Sequence, residues 1–350
     1  MSRKRVLVAM SGGVDSSVAA ALLLKEGLNV TGAYLKLLKS HEDSGEKDAR
    51  DAARLLGIDL LVMDFSGLFR ERVLDYFAAG YLAGLTPNPC VVCNPRIKFG
   101  ALMQKSIELG FDLMATGHYA RVEYDDKSGR RLLKRPVDRS KDQTYVLYGL
   151  SQGQLSRTVF PLGSLRKDEV RELARSLGLF NAQKPDSQDL CFVKQGGYAD
   201  FVEAYTGTRM AEGEFVGLDG RVMGRHKGIA RYTVGQRKGL SLSLPEPAYV
   251  VAKDSEKNRV VLGRESDLFK SVVWAGSCNF IPFDSLKGPL AVTAKLRYGQ
   301  REQKAVLRPE PDGRVRVEFE TPQRAPAPGQ AAVFYDGDIL VGGGTIIDSK

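Results

Sequence analysis

The feature that most constrains this 350-residue chain is a glycine-rich turn near its start, where an apolar strand runs directly into a helix. The segment 6–17 has the sequence VLVAMSGGVDSS. Gly12 and Gly13 permit backbone geometries that other residues avoid, so successive amides can turn toward a phosphate. Three serines add hydroxyl donors, and Asp15 can hold Mg²⁺ against a triphosphate. The segment therefore predicts an anion-binding turn.

The spacing of this turn fits neither GxxxxGK[ST] nor GxGxxG, which disfavours an ordinary P-loop ATPase and a Rossmann dehydrogenase. The motif SGGVDSS resembles the signature of the PP-loop ATP pyrophosphatase superfamily. Members of that superfamily split ATP between the α and β phosphates and place AMP on a substrate oxygen. A glycine-rich turn without a ligand is the alternative, and the crowding of serines, glycines and an aspartate in one turn disfavours it.

The first part of the chain alternates short β-branched strands with amphipathic helices up to about residue 190, which predicts an α/β fold with a parallel sheet covered on both faces. The predicted strands are 6–10, 29–35, 59–63 and 112–116, and the predicted helices are 16–26 and 46–56. Ligands in such sheets bind at the carboxyl ends of the strands. We therefore expect the glycine-rich turn to lie in a nucleotide crevice.

Beyond residue 191 helical periodicity fades, and runs such as YVVAKDSEKNRVVLG are typical of strands and hairpins. We expect a PP-loop catalytic domain over residues 1–198, a central β-rich domain over 199–272 and a C-terminal β-barrel over 273–350. The fold class is thus a parallel-sheet domain followed by two smaller β-rich domains.

Charge points to a polyanionic partner, since the formal net charge is +9. Residues 220–240 hold six Lys or Arg and no acidic residue, which favours contact with a phosphate backbone over a solvated surface. No apolar run approaches the length of a membrane span, and the chain begins without a signal-peptide pattern. We therefore expect a cytoplasmic protein without a membrane partner.

Three of the four cysteines occur in distinctive sequence motifs: Cys90 and Cys93 in TPNPCVVCNPRIKF, and Cys191 in KPDSQDLCFV. Cys278 is interpreted as a small buried hydrophobe. The prolines around CxxC predict a rigid loop that presents its thiols. In a reducing cytosol metal binding or thiol chemistry is favoured over a structural disulfide. A structural zinc site would need a second pair of ligands, which the sequence does not offer. Three thiolates can instead hold a [4Fe–4S] cluster with one open iron.

Six motifs occur in an order that resembles the tRNA-specific 2-thiouridylase family, often called MnmA, over nearly the whole chain. They are SGGVDSS, TPNPCVVCNPRIKF, ATGHYAR, SKDQTYVLYGL, KPDSQDLCF and YTVGQRKGL. The resemblance implies an enzyme in which ATP activates the 2-oxygen of the wobble uridine and sulfur then displaces AMP. It also implies ATP and Mg²⁺ as cofactors, the tRNAs for Glu, Gln and Lys as substrates, and a sulfur donor such as a cysteine desulfurase, a sulfur carrier or inorganic sulfide.

The resemblance assigns roles to individual positions. Cys93 corresponds to the catalytic nucleophile and Cys191 to the persulfide-bearing cysteine, and the two are expected to form a transient disulfide. The implied ATP-binding residues are Ala9, Met10, Ser11, Gly12, Gly13, Val14, Asp15, Ser16, Leu35 and Gly117. The target base is expected at Asn88, Pro89 and Cys90. Contacts with tRNA are expected from His118, Lys141, Asp142, Gln143, Arg297, Tyr298 and Gln330, and from the central domain.

Cys90 departs from the usual family pattern, which has Asp at this position, and two mechanisms stay open. In a persulfide relay, Cys191 delivers sulfur and Cys93 resolves the persulfide without a metal. In the other, which we favour from the sequence, Cys90, Cys93 and Cys191 hold a [4Fe–4S] cluster that carries sulfide on its open iron.

Two other functions compete with thiolation. A PP-loop synthetase or amidotransferase would keep the ATP chemistry but leaves the three cysteines unexplained. A non-catalytic iron–sulfur RNA-binding protein would retain only the nucleotide fold, which the intact SGGVDSS motif disfavours.

Overall fold

The computed structural model describes residues 3–39, 44–179, 190–193 and 197–350. Residues 186–188, which we expect on a loop before Cys191, lie outside the described residues. Its strands are β1 (Arg5–Ala9), β2 (Asn29–Lys36), β3 (Leu60–Asp64), β4 (Leu113–Thr116), β5 (Arg121–Asp125), β6 (Arg130–Lys134), β7 (Thr158–Val159), β8 (Gly213–Gly217), β9 (Val222–His226), β10 (Tyr249–Asp254), β11 (Arg259–Gly263), β12 (Phe269–Phe280), β13 (Leu290–Lys295), β14 (Gln303–Pro309), β15 (Val315–Arg324), β16 (Ala331–Asp336) and β17 (Ile339–Ser349).

The α-helices lie mainly in the first half of the chain. They are α1 (Val14–Lys25), α2 (Ser44–Leu56), α3 (Ser66–Phe69), α4 (Asp75–Leu82), α5 (Cys90–Cys93), α6 (Met103–Glu108), α7 (Gln152–Ser156), α8 (Lys167–Ser176) and α9 (Tyr198–Thr206). Two π-helical segments, Arg70–Leu74 and Asn94–Leu102, join α3 to α4 and α5 to α6. Each pair therefore runs on as one longer helical element.

The first sheet has the order β3-β2-β1-β4-β7, and all of its pairings are parallel. The predicted strands agree with β1 to β4 to within one residue at each end, and the two predicted helices agree with α1 and α2 to within two. The short strand β7 was not predicted. The parallel sheet is confirmed, and its carboxyl edge carries the glycine-rich turn.

Helices and barrel cover the two faces of this sheet because residues of a strand alternate between faces. Val6 and Val8 point into a core shared with α1, α2 and α8. Leu7 points into a second core with Phe99 of the helical element that follows α5. The barrel contributes Tyr335 to the same second core. The C-terminal region is therefore packed directly onto the catalytic half.

The second half of the chain is built from β-sheet, as predicted. The central sheet has the order β10-β11-β8-β9. The strands β12-β15-β14-β13-β16-β17 form a barrel that is closed by pairing of β12 with β17. The hairpin β5–β6 adds to this barrel, with Lys134 opposite Ile339. A hairpin from within residues 1–198 thus extends the last sheet.

No helix in the described ranges is long and apolar enough to cross a membrane.

Candidate nucleotide and thiol site

The turn between β1 and α1 is held in shape by its own serine hydroxyls. Ser16 Oγ and Ser17 Oγ donate to the carbonyl oxygen of Gly13 at 3.0 and 3.1 Å. The amide of Ser11 donates to Ser16 Oγ at 3.2 Å. Because α1 begins at Val14, the amides of its first turn have no acceptor within the helix. The start of α1, which follows this phosphate turn (residues 10–13), therefore offers amides to an anion.

Gly12 is the position in this turn where glycine is required. Its φ of +80° lies in the left-handed region, and a Cβ there would stand 2.5 Å from the carbonyl oxygen of Gly45 and 2.8 Å from Cβ of Asp48. Gly13, in contrast, is extended, with φ of −82°. The sequence expectation of unusual geometry at both glycines is therefore wrong for Gly13, since that residue only leads into α1.

Two further predicted nucleotide residues lie beside the turn. A Cβ on Gly117, which follows β4, would stand 2.7 Å from the amide nitrogen of Ser16 and 2.8 Å from the carbonyl carbon of Asp15. Leu35 lies near the end of β2, next to β1, and packs against both the core beneath the sheet and the apolar cluster around Cys93. The predicted nucleotide residues thus meet at one edge of the sheet.

Asp15, the predicted magnesium ligand, is paired with two side chains in this structure. Lys167 Nζ donates to both of its carboxylate oxygens at 2.7 and 2.8 Å, and the Tyr119 hydroxyl donates to one of them at 2.9 Å. The Asp15 carboxylate is therefore paired with a cation, and its role as a magnesium ligand stays a prediction. Lys167 is only 6% exposed. Nothing in the sequence pattern pointed to this pair, because a lysine that opens an amphipathic helix predicts a surface position.

The CxxC motif begins a helix, not the rigid loop that its prolines predicted. Cys90 and Cys93 are the ends of α5, and the Asn88 side-chain oxygen accepts a hydrogen bond from the Cys90 amide at 3.0 Å. Pro89 precedes the helix, where a missing N–H costs nothing. Asn94 Nδ2 ties the carbonyl oxygens of Cys90 and Val146 together at 3.1 Å each. The predicted base-binding residues therefore sit at a capped helix start.

The three thiols of the cysteine motifs, Cys90, Cys93 and Cys191, lie close enough to interact electrostatically. Cys90 and Cys191 reach the protein surface, but desolvation by the surrounding protein raises the pKa of both thiols. Cys93 is buried, which raises its pKa to about 11. The charges of Cys191 and Cys90 raise the pKa of Cys93 further, while Lys98 opposes the shift at all three thiols. These thiols are thus neighbours, although Cys191 comes from a distant part of the chain, and they are protonated near neutral pH.

The arrangement does not fit the expected iron–sulfur cluster. The described residues contain no group of three or more His, Cys, Asp or Glu side chains placed to hold a metal ion. All four cysteines are free thiols, so the expected Cys93–Cys191 disulfide is not formed in this state. Cys278 is partly buried in the barrel, as expected for a small hydrophobe, and burial raises its pKa to about 12.

Lys98 links the thiols to the nucleotide edge. Burial lowers the pKa of His118 well below its usual value, and the charge of Lys98 lowers it further. His118 follows Gly117, which lies against the start of α1. The same lysine therefore acts on the three thiols and on a residue beside the phosphate turn. The motif that contains it, CNPRIKF, was recognised, but nothing in the pattern singled out the lysine.

The predicted tRNA contacts on the barrel lie close to this site. Tyr298 is 48% exposed, and its pKa is raised first by burial and then by the charges of Asp142 and Cys90. Gln330 Nε2 donates to the carbonyl oxygen of Thr86 at 2.8 Å. Tyr298 is therefore available to a ligand near the thiols, whereas Gln330 tethers the segment that leads to Asn88.

Arg297 and the loop before α5 connect the three parts of the chain. Arg297 Nη2 donates to the carbonyl oxygens of Val234 and Ala325 at 3.1 and 2.8 Å. Lys253 Nζ donates to the carbonyl oxygens of Leu85 and Tyr232 at 3.3 and 3.0 Å. Burial lowers the pKa of Lys253 to about 8. Both cations thus brace the central sheet against its neighbours.

The side chains at 141–143, which were predicted to contact tRNA, mostly form hydrogen bonds within the protein. The Asp142 side chain is 5% exposed and accepts from the amide and hydroxyl of Thr144 at 2.9 and 2.6 Å. Gln143 Oε1 accepts from the Tyr119 amide at 2.9 Å. Lys141 is half-buried. Roles for these side chains on tRNA stay predictions.

His118 is packed in the protein interior. Its Nδ1 lies 2.7 Å from Thr116 Oγ1, and its ring is close to those of Phe99 and Phe160. Because burial lowers its pKa, the imidazole is neutral at physiological pH. This is the geometry of a structural histidine, and its contact with tRNA stays a prediction.

The basic stretch 220–240 divides into two kinds of residue. Arg231 is bound to α9, with Nη1 2.8 Å from Asp200 and Nη2 2.8 Å from Glu203. Arg225 is 70% exposed and has only a 3.6 Å contact with Glu212. Arg225 is therefore open to solvent, and its contact with a phosphate stays a prediction, whereas Arg231 is bonded within the protein.

Family models match this chain in three consecutive parts. They are a tRNA methyl transferase HUP domain over residues 4–195, a tRNA methyl transferase PRC-barrel domain over 199–264 and an aminomethyltransferase beta-barrel domain over 269–346. The chain is thus a parallel-sheet PP-loop protein with two β-domains, and the predicted fold class is confirmed.

Curated relatives define the family further. The tRNA-specific 2-thiouridylase MnmA of Acetivibrio thermocellus is 48% identical, covering 99% of this chain and all of the relative. The MnmA of Carboxydothermus hydrogenoformans is 49% identical, covering 99% of this chain and 98% of the relative. A solved 4-thiouridine synthetase bound to RNA and ATP is 18% identical over 54% of this chain and 45% of that one, with a TM-score of 0.36, too slight a likeness to carry an argument.

The chain belongs to the tRNA-specific 2-thiouridylase family, MnmA. The predicted family, and with it the prediction of an enzyme of this class, is confirmed.

Proposed function

We propose that this chain catalyses ATP-dependent 2-thiolation of the wobble uridine of tRNA in the cytoplasm. ATP adenylates the 2-oxygen of the uridine with release of diphosphate, and sulfur then displaces AMP to give 2-thiouridine. Membership of the MnmA family supports the reaction. The tRNAs for Glu, Gln and Lys and a cysteine desulfurase or sulfur carrier as donor remain the predicted partners.

The observation that carries the proposal is that one lysine interacts with both the thiol cluster and a residue beside the nucleotide-binding edge. Lys98 acts electrostatically on Cys90, Cys93 and Cys191 and on His118, which adjoins the nucleotide edge. A nucleotide-binding edge alone would suit any PP-loop enzyme. Three thiols beside that edge favour sulfur transfer over a synthetase or amidotransferase.

The phosphate turn and the start of α1 are suited to the adenylation step. The amides at the start of α1 would receive the phosphates and stabilise the negative charge that the departing diphosphate gains. Mg²⁺ bound with ATP supplies further neutralisation. Asp15, which is paired with Lys167 in this structure, stays the predicted ligand of this ion.

The wobble base has to leave its stack to reach the thiols. The segment Asn88, Pro89 and Cys90 at the start of α5 would receive the everted base, with Tyr298 beside it as an exposed aromatic surface. Arg225 and its basic neighbours in the central domain, residues 199–272, would contact the tRNA backbone.

Sulfur transfer is best described as a persulfide relay. The terminal sulfur of a Cys191 persulfide attacks C2 of the adenylated uridine, and the C–O bond to AMP breaks. The Cys93 thiolate attacks Cys191 Sγ, so that the S–S bond breaks, sulfur stays on the base and a Cys93–Cys191 disulfide forms. Two electrons from a thiol reductant reopen this disulfide.

The relay takes precedence over the cluster because the thiols are not placed as a metal site in the described residues. Protein prepared without oxygen tests the choice. We expect a protein without the visible absorbance of an iron–sulfur cluster that forms 2-thiouridine from a persulfide donor. The matched variant Cys90→Asp, which has the usual family residue, should keep this activity. Thiolation that requires cluster absorbance, with both lost in Cys90→Asp, would contradict the relay.

A further inference from the structure

The Cys191 thiol is carried by a four-residue turn. The Val193 amide donates to the Leu190 carbonyl oxygen at 3.0 Å, so Cys191 and Phe192 occupy the two central positions. Their exposure differs sharply, since Cys191 is exposed and Phe192 is only 7% exposed. The turn thus presents one residue for chemistry and buries the next.

The Phe192 ring is held among three helices. It meets Phe69 of α3 edge-on with ring centres 6.1 Å apart, Phe77 of α4 edge-on at 5.1 Å, and Phe201 of α9 in a tilted contact at 4.9 Å. These separations are those of favourable aromatic pairs. The ring is therefore fixed from several sides.

The same apolar cluster contains Cys93, which is 8% exposed. The side chains on either side of the turn's centre, Leu190 and Val193, also pack against this cluster. The turn is thus docked on the core that holds the nucleophile. The rings paired with Phe192 lie in α3, α4 and α9, outside the phosphate turn.

We propose that Phe192 is the positioning residue that docks the Cys191 thiol beside Cys93, so that sulfur delivery depends on this ring and adenylation does not. The part about sulfur delivery rests on the proposed function. The docking itself is a property of the fold and can be measured without tRNA or ATP.

The first experiment measures Cys93–Cys191 disulfide formation in the full chain treated with diamide, using mass spectrometry of the linked peptides. Phe192→Ala should form the disulfide about tenfold more slowly than the parent, because the thiols lose effective concentration. Phe192→Leu, which keeps apolar volume but loses the ring contacts, should be slowed less. The control Phe283→Ala removes a ring stacked on Phe280 in the barrel and should leave the rate unchanged.

The second experiment measures tRNA-dependent ATP–pyrophosphate exchange and 2-thiouridine formation in the same proteins. Phe192→Ala should retain exchange and lose thiolation, and Phe192→Leu should restore part of it. Disulfide formation at the parental rate in Phe192→Ala overturns the proposal; if that variant does not fold, the parental rate in Phe192→Leu does so. Absence of exchange in the parent would refute the proposed function and leave the docking result standing.

Discussion

The phosphate turn and the thiol cluster share one site but are built in opposite ways. The turn is shaped by hydrogen bonds among residues close in sequence, such as Ser16 Oγ to the Gly13 carbonyl. The thiols come from α5 and from the turn at 190–193, and they meet only through packing of the chain. The start of α1, which follows the turn, offers amides to an anion as it stands. In contrast, desolvation by the surrounding protein raises the pKa of each thiol. Anion binding thus needs little rearrangement, whereas the thiols have to lose their protons before they can react.

The largest expected effect comes from a substitution at Gly117, which should impair ATP binding but leave the thiol cluster unaffected. A methyl group there would stand 2.7 Å from the Ser16 amide nitrogen, so Gly117→Ala should push the start of α1 out of place. We expect ATP affinity, measured by calorimetry, to fall by about 10- to 100-fold, or roughly 1.4–3 kcal/mol. The Cys93–Cys191 disulfide rate should not change.

Gly67→Ala is the matched control, because a Cβ at Gly67 of α3 meets nothing within 4 Å. It should leave ATP affinity unaltered. If Gly117→Ala slows disulfide formation as much as it weakens ATP binding, the phosphate turn and the thiol cluster are not independent.

The next effect concerns the pair behind the phosphate turn. Lys167→Met leaves the Asp15 carboxylate without its cation and should lower the free energy of unfolding by about 1–3 kcal/mol, discounted because Asp15 is 30% exposed. Denaturant unfolding measures this change. The double variant Asp15→Asn with Lys167→Met should recover stability but not ATP affinity. Recovery of both would make the pair purely structural.

The pH dependence of the thiols comes next in size. Because burial raises the pKa of Cys93 to about 11, its alkylation by iodoacetamide should rise about tenfold per pH unit from pH 7 to about pH 10. Lys98→Met should slow the reaction further at each pH. Mass spectrometry of native protein follows the reaction, and a plateau near neutral pH would contradict the assigned protonation.

The same shift has a defined sign for stability. Between the ordinary thiol pKa of 9.0 and about 11, the unfolded chain loses the Cys93 proton while the folded chain keeps it. The contribution of Cys93 to the free energy of unfolding therefore falls as pH rises through this window.

The smallest expected effect separates the two arginines of the central domain. Arg231→Ala should cost about 0.5–1 kcal/mol of stability through loss of its bonds to Asp200 and Glu203, with little change in tRNA affinity. Arg225→Ala should weaken tRNA binding and flatten its salt dependence without loss of stability. Filter binding at several salt concentrations checks both, and the reverse outcome would mean that Arg231 is the residue that meets tRNA.

The sequence predicted what depends on local pattern. Strand alternation gave β1 to β4 to within one residue, and the composition of the glycine-rich turn predicted an anion site. The tertiary contacts were not accessible in this way. Lys167 is paired with Asp15 across 152 positions, and Phe192 meets rings from three separate helices. The helix at Cys90 was missed because the flanking prolines suggested a loop, although Pro89 is well suited to a helix start.

The most direct test compares Cys93→Ala with the parent in one assay that follows AMP transfer and sulfur transfer together. The variant should retain tRNA-dependent ATP–pyrophosphate exchange, since the phosphate turn is untouched, and should form no 2-thiouridine. Undiminished 2-thiouridine in Cys93→Ala would show that sulfur reaches the base by a route that does not use this thiol.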